Sequence, residues 1–267
     1  MIDILREQFS PRMPAEEKTN RVREFLQVMM LKIMSDKGLF RHLAFGGGTA
    51  LRVLYNLRRY SEDLDFSLVN PRGYDGGRVV TELGKQLTLF GIEAELKAPK
   101  KKAVQSILVR FPRLLQEIGV SALKEQKLSI RVEIDTNPPK GGATETSLIN
   151  KTYLFNVTRY DLPSLFATKL HACMFRKYTK GRDFYDLVWY LGRNVGPNFA
   201  LLNNAIRQTE RNVKEITESN LKEFALDRLQ RVDFAAARKD VERFLEDKNE
   251  LQLLELRAMR ELIEASL

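Results

Sequence analysis

Apolar residues recur at helical spacing over residues 14 to 36, where Val22, Phe25, Leu26, Val28, Met29 and Met30 alternate with charged side chains; this predicts an N-terminal amphipathic helix. Residues 42–45 read as a short strand running into Gly46-Gly47-Gly48. Residues 49–57 follow as a helix with Leu51, Leu54 and Tyr55 on one face. Residues 64–69 are a strand closed by the turn residues Asn70-Pro71-Arg72-Gly73, and 76–90 carry Val79, Val80, Leu83 and Leu87 at helical spacing. Two β-like segments, 92–98 and 104–111, flank a turn at Pro99-Lys100-Lys101-Lys102. The cleanest alternation lies at 128–135. There Leu128, Ile130, Val132 and Ile134 form a buried face and Ser129, Arg131, Glu133 and Asp135 share the other. Asn137-Pro138-Pro139-Lys140-Gly141-Gly142 is expected to close this half.

Beyond about residue 158 the period becomes helical. Asp161-Leu162-Pro163 reads as a cap with an early proline, opening a helix through Lys169 to about residue 177. Another helix is expected at 183–191 and several amphipathic ones across 198–266. The expected fold class is α/β (α+β): a sheet domain over 1–158, then a helical domain over 159–267 completing the active-site cleft.

Composition narrows the function. The 267 residues are 43% hydrophobic and 30% charged, which excludes a disordered chain and suits a packed core. No apolar run is long enough to cross a bilayer, and the first residues lack the basic and apolar regions of a secretory signal, so the expected location is the cytoplasm. A lone cysteine, Cys173, cannot form an internal disulfide, and two distant histidines, His42 and His171, argue against zinc. The formal net charge of +9 suggests an anionic partner. Basic residues gather at Arg58-Arg59, at Lys100 to Lys102, and at Arg176, Lys177, Lys180 and Arg182.

Chemistry concentrates in one stretch. The turn Gly46-Gly47-Gly48 precedes Thr49 at a helix start, where free N–H groups and the helix dipole favour phosphate. About ten residues on, Ser61-Glu62-Asp63-Leu64-Asp65-Phe66-Ser67 places Asp63, Asp65 and Ser67 on one side of a strand whose other side is Leu64, Phe66 and Leu68. Alone, the glycines read as a tight turn and the acids as a solvated strand edge. Together they suit a divalent cation between two carboxylates that would otherwise repel, with a phosphate cradle beside it. Trp189, beside Tyr185 and Tyr190, reads as core.

These residues resemble the Gly-Gly then Asp-x-Asp pattern of the nucleotidyltransferase superfamily. Within it, Gly47-Gly48-Thr49-Ala50-Leu51 followed by Arg59-Tyr60-Ser61-Glu62-Asp63-Leu64-Asp65-Phe66-Ser67 is similar to the AbiEii/AbiGii toxin family of type IV-like toxin–antitoxin and abortive-infection systems. The likeness continues at Val132 to Pro139, at Ala167-Thr168-Lys169-Leu170-His171-Ala172 and at Lys180 to Leu187, spanning about residues 20–195. It implies a nucleotidyltransferase-like mixed sheet and transfer of a nucleoside monophosphate from an NTP to an acceptor, RNA or tRNA, with release of pyrophosphate. It also implies an antitoxin partner and a Mg²⁺ or Mn²⁺ cofactor. By this resemblance Asp63, Asp65 and Glu133 bind the metal, with Asp135 the other candidate for third carboxylate. Gly47, Gly48, Thr49, Ser61, Lys169 and Arg182 meet the nucleotide, Thr49 through its hydroxyl as well as its backbone. Asp183 and Asp186 join the catalytic set, and which of them faces the nucleotide stays open. Transfer to a protein or small molecule, γ-phosphate transfer, and an inactive binding module are the competing readings.

Overall fold

The computed structural model describes residues 1–97, 102–211 and 213–267. Most of the expected turn at 99–102, Lys100 and Lys101 included, lies outside the described residues, as does Ala98. The chain divides into two compact units. The first comprises Met1–Asn56, Tyr60–Pro138 and Thr146–Arg159; the second comprises Leu57–Arg59, Pro139–Glu145 and Tyr160–Leu267. Two short excursions, one of them the basic pair Arg58-Arg59, therefore belong with the helical unit.

The first unit is built on a mixed seven-stranded sheet. Its strands are β1 (Leu43–Gly46), β2 (Asp63–Leu68), β3 (Glu95–Lys97), β4 (Val104–Phe111), β5 (Leu128–Asp135), β6 (Thr144–Asn150) and β7 (Leu154–Tyr160), in the order β3-β4-β5-β2-β1-β7-β6. β1 runs antiparallel to β2, and β2 runs parallel to β5. The helices are α1 (Ile2–Arg6), α2 (Ala15–Asp36), α3 (Gly47–Tyr55), α4 (Gly76–Leu89) and α5 (Leu114–Glu117). Strict alternation on β2 and β5 buries Leu64, Phe66, Ile130, Val132 and Ile134, on which Val28, Met29, Leu31 and others of α2 close the core. Each fully buried aliphatic side chain stabilises the fold by about 2 kcal/mol. Phe45 and Phe66 meet across the β1–β2 pair with ring centroids 5.4 Å apart.

Three expectations change. The helix expected to start at residue 49 starts at Gly47, so the glycines form its first turn, and it ends at Tyr55 because Asn56 caps it in the left-handed conformation (φ 55). The strand expected over 92–98 shortens to β3. Strands β6 and β7 follow the proline-glycine segment that was expected to close the sheet; β6 buries only Ile149, so no alternation announced it.

The second unit is helical, with α6 (Leu162–Phe175), α7 (Gly181–Leu191), α8 (Phe199–Thr209), α9 (Glu218–Leu229), α10 (Phe234–Val241) and α11 (Leu256–Ser266). Asp161 caps α6 by accepting the Ser164 N–H at 2.9 Å, with Pro163 in the first turn. Phe166 of α6 stacks on Tyr190 of α7 at 4.6 Å. Gly181 lets α7 start against α10, since a Cβ there would lie 1.8 Å from the Ala237 carbonyl oxygen. Trp189 is half-buried, edge-on to Tyr190 and covered by Arg193 4.0 Å from its ring. Among the described residues no helix is long and apolar enough to cross a membrane.

Candidate active site

In the first unit, sheet register brings the glycine turn and the carboxylates together. Gly46, the last residue of β1, lies opposite Asp65 of β2. Gly47 has φ +69, and a Cβ built on it would fall 2.0 Å from Asp65 Oδ2. No other residue fits there: the left-handed backbone strains any side chain, and the space is already taken by a carboxylate. The first N–H groups of α3 have no acceptor within the helix and carry the positive end of its dipole, beside the Asp65 carboxylate. Thr49 is fully buried and its hydroxyl donates to the Asp63 carbonyl oxygen. This corrects the expected hydroxyl contact to a triphosphate. Thr49 thus joins α3 to β2. The Ser61 carbonyl oxygen accepts a hydrogen bond from the buried Gln27 side chain at 3.1 Å, which fixes the entry to β2.

Asp63, Asp65 and Ser67 share the half-buried face of β2. The parallel register pairs Asp63 with Arg131, Asp65 with Glu133 and Ser67 with Asp135. Glu133 thus neighbours Asp65, whereas Asp135 lies two residues farther from the glycine turn. Burial raises the Asp135 carboxyl, opposed by the Asn137 N–H it accepts at 2.9 Å. Glu133 itself lies 3.6 Å from the Arg131 guanidinium. Among the described residues no three acidic, histidine or cysteine side chains converge on one point. Asp63 and Asp65 therefore stand as a pair with Glu133 alongside, held toward Arg131. This donor set suits a small divalent cation: oxygen ligands only, from the same side of one strand, at a cradle that any Cβ at position 47 would fill.

The second unit holds a buried ion cluster. Both oxygens of Asp186 meet Arg59, each at 2.6 Å, and Oδ2 also lies 2.8 Å from Lys169 Nζ. The Asp186 side chain is 0% exposed and that of Arg59 2%. Asp183 binds Lys169 at 2.7 Å and Arg176 at 3.0 Å. Burial alone would raise the Asp183 carboxyl, but Lys169 and then Arg176 outweigh it and hold it at about 2. Burial alone would lower the Lys169 ammonium, yet Asp183 and Asp186 push it up. Cys173, against the Asp183 carbonyl at 3.3 Å, is raised well above its ordinary value by burial and then by the Asp183 charge, which leaves its thiol unreactive.

Asp186, expected in the catalytic set, is fully buried, with both oxygens on Arg59 and Oδ2 also on Lys169. Arg59 is not the surface cation its place beside Arg58 suggested, while Arg58 is exposed and pairs with Glu250 at 2.9 Å. Of the pair Asp183 and Asp186, only Asp183 keeps any exposure, at 6%. Arg182 lies 4.3 Å from the Phe244 ring. Arg59 and Arg176 were missed as members of this cluster. Arg176 stood out only as a member of a basic group, and Arg59 also as the first residue of the Arg59-to-Ser67 string.

A mixed sheet whose glycine turn is backed onto two same-side carboxylates defines the nucleotidyltransferase class. The family model described as "Nucleotidyl transferase AbiEii toxin, Type IV TA system" matches residues 29–264, and the chain belongs to this family of nucleotidyltransferases. Its fold is similar to that of a crystal structure from H. pylori assigned to the nucleotidyltransferases, with 19% identity over 90% of this chain and 94% of the other and a TM-score of 0.55. The structure of JHP933 from Helicobacter pylori is similar over 91% of this chain and 92% of its own, at 19% identity and a TM-score of 0.48. No curated protein matches the chain.

Proposed function

We propose that this protein transfers a nucleoside monophosphate from an NTP to a hydroxyl of an RNA acceptor, as the toxic member of a pair neutralised by an antitoxin protein. The observation that carries the reading is Gly47, whose left-handed backbone and missing side chain let a phosphate-facing turn touch Asp65. Asp63 and Asp65 would hold Mg²⁺, or Mn²⁺ in its place, with Glu133 the neighbouring carboxylate able to join them. When bound, such an ion neutralises phosphate charge and aligns the attacking hydroxyl with the α-phosphorus. The backbone N–H groups of Gly47, Gly48 and Thr49 orient the triphosphate.

In the second unit, Arg59, Lys169 and Arg176 bring three positive charges against the two of Asp183 and Asp186. That surplus supports Lys169 and Arg182 as phosphate ligands, with Asp183 releasing Lys169 as phosphate arrives and Asp186 keeping it in place. The net charge of +9 supports an anionic acceptor.

The test incubates the protein with total RNA, Mg²⁺ and each α-labelled NTP, beside Asp63→Ala and a γ-labelled control. The expected result is α-label in RNA from the wild type alone. Label arriving from the γ position, or in protein rather than RNA, would replace this reading with one of its competitors.

A further inference from the structure

The segment joining α6 to α7, with the first turn of α7, places Arg176, Lys177, Lys180 and Arg182 within seven residues. Tyr178, in its middle, is 67% exposed, more than any other tyrosine among the described residues. The ring is not loose. The Arg176 guanidinium sits 5.3 Å from its centroid and is itself anchored 3.0 Å from Asp183 Oδ2. One face of an aromatic ring is thereby tied to the buried ion cluster, while most of the side chain stays in water. Around it positive charge is crowded. Burial, and then Arg182, Arg176 and Lys169, pull the Lys180 ammonium below its ordinary value, with Asp183 opposing them. An exposed ring interleaved with cations on a non-helical bend has the chemistry of a stacking platform: a base lies on the ring and the flanking phosphates meet the ammonium groups. An acidic protein would use the cations but has no need of the ring.

We propose that this segment docks a single-stranded RNA, with Tyr178 stacking a base and Lys177 and Lys180 meeting its phosphates; the proposal rests on RNA being the acceptor. The site is built on the second unit alone, and only its role in the reaction depends on the first.

The experiment measures fluorescence anisotropy of a labelled oligoadenylate bound to the full chain over a series of salt concentrations. Tyr178→Ala is expected to weaken binding about tenfold, within the range for loss of one stacked base. Tyr178→Phe should stay within about twofold of wild type, because stacking needs the ring and not the hydroxyl. Lys177→Ala should reduce the slope of log affinity against log salt by about 0.7, the loss of one phosphate contact. ATP affinity of Tyr178→Ala should match wild type. Wild-type oligoadenylate affinity in Tyr178→Ala, or equal weakening in Tyr178→Phe, overturns the platform. So does a polyglutamate peptide whose binding is weakened as much by Tyr178→Ala, which would mark a protein contact. If the wild type labels RNA while Tyr178→Ala binds oligoadenylate normally, the platform fails and the RNA acceptor stands. If the wild type neither binds nor labels RNA, both fail.

Discussion

The two units treat their carboxylates in opposite ways. On β2, Asp63 and Asp65 stay half-exposed on a sheet face beside a turn stripped of side chains. In the helical unit, Asp186 is wholly buried and Asp183 nearly so, among Arg59, Lys169 and Arg176. The first arrangement keeps its carboxylates in reach of solvent. The second already pairs its carboxylates with cations, so removing one member leaves a buried charge without its counterpart. We propose that the carboxylates of the sheet serve the chemistry and that Asp186 serves the scaffold presenting Lys169.

That contrast is sharpest in mutants. Asp65→Ala should lower nucleotide transfer by about a thousandfold while leaving stability within about 1 kcal/mol of wild type, read by single-turnover labelling beside urea denaturation. Gly47→Ala should cost about a hundredfold in transfer and about 1–3 kcal/mol in stability, because the new methyl group must displace the Asp65 carboxylate and sit at positive φ. Asp186→Ala should reverse the balance, destabilising by about 3–5 kcal/mol in urea. Arg59→Ala should cost a similar amount, and the double variant much less than the sum, since both break one pair. If Asp186→Ala left stability intact while abolishing transfer, Asp186 would belong with the sheet carboxylates.

A smaller effect tests the electrostatics. Asp183 is held at about 2, below its ordinary 3.8, so its contribution is present above the unfolded value and disappears as pH falls through the folded one. Stability should therefore drop by on the order of 2 kcal/mol between about pH 4 and pH 2. In Asp183→Asn that part of the acid dependence should vanish, as followed by chemical denaturation at each pH.

The sheet carboxylates were legible because a strand's period of two needs only neighbouring residues to reveal which side a group faces. Asp63, Asp65 and Glu133 all fell on the expected faces. The glycine turn was legible as a tight bend between strand and helix, though not as the first turn of α3, because only the register of Gly46 against Asp65 shows how near the backbone must come. Arg59 was illegible. Its partner Asp186 lies 127 residues away, and the burial of both is created by the helices around them. The hydroxyl of Thr49 misled for a similar reason: helix-start threonines suit a phosphate, but this one is buried against the Asp63 carbonyl. Strand β6 escaped because backbone pairing at a sheet edge needs no apolar alternation, whereas the short alternation of Phe155 and Val157 in β7 was there to be read.

The central claim, that Asp63 and Asp65 hold a nucleotide-bound cation beside the Gly47 turn, is tested most directly by titrating Mn²⁺ in the presence of a non-hydrolysable ATP analogue. Free ion is followed by electron paramagnetic resonance for the wild type and for Asp63→Asn/Asp65→Asn. The account predicts a nucleotide-dependent bound ion in the wild type that the double variant loses while remaining folded. Equal Mn²⁺ binding by both proteins would contradict it.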